Sequence, residues 1–119
     1  MKYKGLAVLA SLAILGFCGI SCSATNADDP GSMIIREEAT RRNVTIISVD
    51  QAKSAVAQRL SSKKVRYGDI KLENEADDYP NESNFRPVYK IECITGLWTE
   101  YEFEIDAVSG EMLKVEADD

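Results

Sequence analysis

The chain has 119 residues, three cysteines, no histidine and a formal net charge of −6. The missing imidazoles exclude His-based triads and His-ligated metal sites. The acidity argues against nucleic acid and anionic membrane surfaces as partners. The length suits one domain with a modest core.

Lys2 and Lys4 open the chain, residues 5–20 are uncharged and largely apolar, and small residues follow at Ser21, Cys22, Ser23 and Ala24. That order reads as an export signal, its apolar run too short for a firm membrane span, with a retained anchor as the alternative. The expected organisation is a signal peptide at 1–24, a flexible linker at 25–43 and one folded domain at 44–119. Two processing outcomes stay open. Ala24, with Cys22 two residues before it, suits an ordinary signal peptidase. Gly19-Ile20-Ser21-Cys22 resembles the bacterial lipoprotein box, in which the cysteine is lipidated and becomes the new N-terminus; Gly19 stands where that box usually has leucine. Cys22 is therefore a lipidation candidate, and a lipid anchor there is the one membrane attachment expected. Removing 24 of the 119 residues leaves 95, and losing Lys2 and Lys4 takes the net charge from −6 to −8. The destination is the periplasm, the cell envelope or the exterior.

Residues 25–32 (TNADDPGS) are polar, with Pro30 and Gly31, and read as a tether. Residues 33–42 (MIIREEATRR) read either as a turn or two of helix or as more tether. A β-branched run at 44–47 leads into Ser48, and from there the signals are those of a helix. Ser48 can cap the amide of Gln51 while Gln51 reaches back. Asp50 lies in the first turn, where the helix dipole favours it. Val49, Ala52, Val56 and Leu60 form one apolar stripe. The helix should stop near Ser61 or Ser62, and the small Ala52 and Ala55 let it lie close to a sheet.

Residues 69–74 (DIKLEN) alternate Ile70 and Leu72 with polar neighbours, the period of a half-buried strand. Residues 75–84 (EADDYPNESN) form a polar loop broken by Pro80. Its carboxylates, Glu75, Asp77, Asp78 and Glu82, invite a calcium reading, but the EF-hand spacing is absent and a solvated loop is the simpler account. Residues 87–94 (PVYKIECI) make the next strand, with Tyr89, Ile91 and Cys93 on one face. Cys93 reads as a small buried residue or as a reactive thiol. Trp98, the single tryptophan, reads either as a lid on the core or as a contact anchor.

The last stretch, YEFEIDAVSGEMLKVE at 101–116, is the most legible. Tyr101, Phe103 and Ile105 alternate with Glu100, Glu102, Glu104 and Asp106, placing aromatics inward and carboxylates outward. Opposed residues share a face, so Phe103 should meet Val115 and Ile105 should meet Leu113. That leaves Val108, Ser109 and Gly110 as a three-residue loop, with Gly110 in the left-handed position. Glu104 then lies across from Lys114, and Glu102 across from Glu116. The carboxylates of the row read as a solvated face or as a binding face. The expected fold is α+β: one helix on an antiparallel sheet of about four strands.

The helix opening ISVDQAKSAVAQ together with YEFEIDAVSGEMLKV resembles the PepSY domain family. The resemblance is carried in the hairpin by Tyr101, Phe103, Ile105, Asp106, Gly110 and Leu113, and spans 46–116. It implies a small extracytoplasmic module of the kind found in propeptides of thermolysin-type metallopeptidases, with a proposed role in inhibiting or regulating peptidases. No catalytic residue, metal or cofactor is implied. The chain as given carries no peptidase, so the expected role is in trans, on an exported protein such as a peptidase, with oligomeric state left open. Trp98, Glu100, Glu102 and Glu104 are the partner-contact candidates, and Asp106 and Gly110 the turn residues. The alternatives are a structural or sensory envelope lipoprotein domain with no peptidase partner, and, as a third class, a carrier of a small ligand or cation.

Overall fold

A computed structural model describes residues 26–61, 64–96 and 99–118. Two helices, α1 (Pro30–Arg41) and α2 (Val49–Arg59), precede four strands: β1 (Val65–Asn74), β2 (Pro87–Thr95), β3 (Thr99–Asp106) and β4 (Met112–Asp118). The strands form one antiparallel sheet in the order β1-β2-β3-β4. The class is the α+β one expected from the sequence, with a second helix. The signal peptide at 1–24 and its Cys22 lie outside the described residues, as does Trp98. Among the described residues no helix is long and apolar enough to cross a membrane.

The helix α2 starts where its sequence dictates. Ser48 Oγ accepts from the Gln51 amide at 3.1 Å, and Gln51 Oε1 accepts from the Ser48 amide at 2.8 Å. These bonds satisfy two amides that the first turn otherwise leaves open. The helix ends at Arg59, with Ser61 in the left-handed region at φ 57°. Its stripe of Ala52, Val56 and Leu60 is buried in one cluster with Ile70, Leu72, Tyr89, Ile91, Cys93, Phe103 and Ile105. Removing this apolar area from water is the main favourable contribution to folding.

Two bulges reset the alternation. On β1, Tyr67 faces Cys93 and Ile70 faces Ile91, so β1 holds one residue more than its partner between those pairs. Tyr67 and Ile70 therefore both reach the core, three residues apart. The strand starts at Val65, four residues before the expected Asp69. On β4, Glu104 faces Lys114 and Ile105 faces Met112, making Leu113 the extra residue. The expected Ile105–Leu113 pair is thus corrected to Ile105–Met112. Phe103–Val115, Glu104–Lys114 and Glu102–Glu116 are paired as the alternation predicts. A bulge adds one residue and sharpens local twist, and simple period-2 reading does not register it.

The described part of the linker expected at 25–43 is not a free tether: α1 is docked against β1. Asp29 caps α1, accepting from the Ser32 amide at 3.3 Å and from Ser32 Oγ at 2.6 Å. Those bonds, led by the Ser32 hydroxyl, hold the Asp29 carboxyl below its ordinary range. Ser32 Oγ in turn accepts from the Leu72 amide at 2.9 Å. The Ala27 amide donates to the Ile70 carbonyl at 2.7 Å, and Asn26 forms a parallel bridge with Ile70. Ala27, Ser32 and Ala39 are buried. Arg36 ties the segment down further, donating to the Ala27 carbonyl at 3.2 Å and to Tyr89 Oη at 3.4 Å.

Candidate functional site

The face of the sheet away from α2 carries most of its charge, and register fixes the rows. Glu92 lies opposite Glu102, and Glu102 opposite Glu116, so three carboxylates cross β2, β3 and β4 side by side. One step toward the strand ends, Glu100 lies opposite Asp118. In the other direction, Lys90, Glu104 and Lys114 alternate in sign. Like charges set directly opposite each other oppose sheet pairing.

The loop between β1 and β2 divides this face in two. It is folded rather than merely solvated. The Asn74 side-chain oxygen accepts from the amides of Ala76 (3.2 Å) and Arg86 (2.8 Å), and Glu75 N–H donates to the Arg86 carbonyl at 2.8 Å. Asn81 closes the tip on Phe85, which is buried with Arg42 stacked at 4.8 Å from its ring. Glu75 sits half-buried 3.3 Å from Lys90, while Asp77, Asp78 and Glu82 are exposed. Burial outweighs the lysine at Glu75 and raises its carboxyl above the ordinary range.

This loop also corrects the expected solvated row. Glu104 is only 5% exposed, because Tyr79 covers it and donates from Oη to Glu104 Oε1 at 3.0 Å. Lys114 lies 3.7 Å from the other oxygen. Glu104 is thus an interior bridge between loop and hairpin, and it is withdrawn from the surface that a partner could touch. Glu100 is exposed and Glu102 half-buried. Alternation told which face Glu104 belongs to; it carried no signal that a loop would lie over it.

Asp106 is buried at the base of the hairpin turn. Its Oδ1 accepts from the amides of Val108 (2.8 Å) and Ser109 (2.9 Å), and Arg86 Nε donates to Oδ2 at 2.5 Å. Burial pushes the carboxyl up, but the two amides and the guanidinium outweigh it and hold it below the ordinary range. Gly110 has φ +82° and donates to the Asp106 carbonyl at 2.8 Å. These contacts organise the turn; they are not arranged around a reacting atom. Cys93 is buried in the core, and burial pushes its thiol up to about 11, which leaves it almost wholly protonated near neutrality.

The open half of the face is the end bearing Glu92, Glu102 and Glu116. The sheet curls there around a hollow of about 800 Å³, with Arg66 at its margin. Arg66 Nη2 reaches the Gly96 carbonyl at 3.4 Å. Nearby, Asp69 Oδ1 is buried without a hydrogen-bond partner among the described residues. Among those residues no three acidic or cysteine side chains converge as a metal site would require. The edges of the sheet differ as well. The β1 edge is occupied by Asn26, Ala27 and Ser32, whereas among the described residues β4 pairs with β3 alone.

A capped helix across an antiparallel sheet, closed by an Asp–Gly hairpin turn, defines a small α+β module with an acidic face and, among the described residues, one unpaired edge. Comparison with known families matches residues 46–116 to the peptidase propeptide and YPEB domain family, PepSY. The match covers more than half of the chain, and the chain belongs to the PepSY family. Searches of curated proteins and of solved structures gave no match. The matched span begins after α1, so the segment that covers the β1 edge lies outside it.

Proposed function

We propose that the protein is a non-catalytic, exported interaction module that regulates a peptidase, or restrains another exported protein, in trans. Membership of a family of peptidase propeptide domains carries this reading. The exposed part of the molecule agrees with it. What it offers a partner is a charged face and a strand edge, while its buried carboxylates, Glu104 and Asp106, serve the loop and the turn.

Residues 1–24 direct the chain out of the cytoplasm, and the mature protein works in the periplasm or envelope, held by lipid if Cys22 is acylated. Mass spectrometry of the mature N-terminus distinguishes the outcomes: a chain starting at Thr25, or one starting at diacylated Cys22. A retained Met1 in the envelope fraction would overturn export with processing.

Trp98, Glu100 and Glu102 are the proposed contact residues. Affinity capture from envelope extracts, with the processed chain as bait, should enrich an exported protein, a peptidase first among the candidates. Truncating a central Trp98 anchor should weaken the captured complex by about 2 kcal/mol or more. Glu102→Lys should mainly slow association and flatten its salt dependence. Capture no better than with an unrelated acidic domain would refute the reading.

A further inference from the structure

We infer that the β4 edge is the docking strand, and that its ligand is an extended segment alternating basic and apolar residues, added antiparallel to β4. The inference rests on the interaction-module reading and gives it a surface and a partner chemistry.

An antiparallel sheet of four strands has two edges, each with a row of backbone donors and acceptors. Here the first is taken. The Ile70 carbonyl accepts from Ala27, and the Leu72 amide donates to Ser32, so the chain's own N-terminal segment lies where an added strand would pair with β1. The second edge is β4, half-buried from Met112 to Val115 and exposed from Glu116 to Asp118. Extended chains bind such edges through main-chain hydrogen bonds, with alternate side chains reading the two faces.

The register of β4 specifies those side chains. Lys114, Glu116 and Asp118 pair with Glu104, Glu102 and Glu100 and so lie on the charged face. Val115 and Ala117 pair with Phe103 and Tyr101 on the α2 side, where Val115 and Tyr101 pack against the core. A strand laid antiparallel beside β4 places residues opposite Asp118, Ala117, Glu116, Val115 and Lys114 in turn. Charge complementarity at the first and third of these calls for Lys or Arg, since Glu92, Glu100, Glu102, Glu116 and Asp118 gather at this end. The two local cations offset only part of this charge: Glu116 is already paired, while Glu92, Glu100, Glu102 and Asp118 have no ion pair among the described residues. Lys114 lies 3.3 Å from Glu116 and 3.7 Å from Glu104, and Arg66 reaches the Gly96 carbonyl. Opposite Ala117 and Val115 the strand should carry apolar residues, which extend the core side. The motif is therefore basic–apolar–basic–apolar, with a neutral or acidic residue next, across from Lys114. A second copy of this chain fits less well, because it brings two such carboxylate groups together.

The test uses the processed chain and the synthetic peptide acetyl-Thr-Lys-Val-Lys-Val-Glu-Thr-amide. Calorimetry should show binding that weakens with salt, and hydrogen exchange should show β4 amides gaining protection while β1 amides do not change. Two control peptides separate the components: one with both lysines replaced by glutamate, and one with alternate amides N-methylated on the pairing edge. Both should lose binding. The Glu116→Lys/Asp118→Lys variant should weaken the lysine peptide by about tenfold or more and favour the glutamate peptide. Binding that survives N-methylation would reduce the effect to charge alone and overturn strand addition. No binding, or β4 protection that rises with protein concentration alongside dimer formation, would also overturn it. If the Glu116→Lys/Asp118→Lys variant still captures its envelope partner unchanged, the edge inference fails while the interaction-module reading stands. If neither chain captures anything, both fail.

Discussion

Replacing Asp106 tests the turn at its most constrained point. Its carboxylate accepts two amides from the loop and one guanidinium N–H from Arg86, all while only 5% exposed. In Asp106→Ala the two amides lose an ionised acceptor, and each such bond contributes about 1.5–3 kcal/mol. Arg86, whose side chain is 23% exposed, is left without its carboxylate. Removing one partner of a buried pair costs about 3–5 kcal/mol in total, because desolvation of the other is no longer compensated. At about 4–8 °C per kcal/mol, the melting temperature should fall by roughly 12 °C or more. Asp106→Asn keeps an oxygen for the amides but turns a neutral group toward Arg86, so it should cost about 1–3 kcal/mol. The pH dependence provides the sharper check. The folded-state carboxyl lies below the ordinary value of 3.8. Its stabilisation is therefore complete above that value and is lost as pH falls through the depressed one. Urea unfolding of parent and Asp106→Asn should show a constant gap near neutrality that narrows in acid below pH 3.8. A gap that stays constant through strong acid would refute the ionised-acceptor account. So would an Asp106→Ala variant that melts like the parent.

Gly110→Ala should lower stability by about 1–2 kcal/mol in denaturant unfolding, from backbone conformation alone. At φ +82° an added Cβ meets nothing within 4 Å, so the cost is conformational, and Gly110→Asn should be milder than Gly110→Ala because Asn tolerates the left-handed region. Ser32→Ala should cost about 1–3 kcal/mol by stranding the buried Leu72 amide, and hydrogen exchange should then show the β1 edge opening before the rest of the sheet. Cys93 should resist alkylation in the native protein near neutrality and react readily once unfolded, since it is 2% exposed with its thiol raised to about 11.

The elements that were legible in the sequence are those whose signals are local. Ser48 and Gln51 announce a capping box within four residues, and the alternation of Tyr101, Phe103 and Ile105 fixes a face without reference to the rest of the chain. Most of the differences come from interactions between separate segments. Glu104 is on the expected face yet buried, because Tyr79 arrives from another loop. Leu113 carries the apolar alternation of its strand, but a bulge gives its place opposite Ile105 to Met112. Tyr67 reaches the core three residues from Ile70, a spacing that period 2 does not register, again through a bulge. At 25–32 Pro30 and Gly31 read as helix breakers. Pro30 instead opens α1 behind the Asp29 cap, where a missing amide is harmless. A polar sequence with weak amphipathicity becomes ordered once Ser32 and Ala27 find buried partners on β1. Composition reports neither partner.

That docked segment shapes what the family fold can do in this chain. The matched residues 46–116 contain β1 and β4 as far as Glu116, and a sheet with two open edges can add a chain on either side. Residues 26–42 remove one choice, and they do it with side chains as well as backbone: Ser32 answers an amide of β1, and Arg36 links Ala27 to Tyr89 in the core. The remaining edge is the one beside the carboxylates of β3 and β4. If β4 is the docking strand proposed above, covering the β1 edge acts as specificity as much as protection, since among the described residues it leaves the edge where Glu116 and Asp118 would select for basic residues. The loop from Glu75 to Arg86 acts in the same direction. By burying Glu104 and engaging Lys90 it balances charge on one half of the face, so the carboxylates without an ion pair among the described residues, Glu92, Glu100, Glu102 and Asp118, lie at the other half, beside β4.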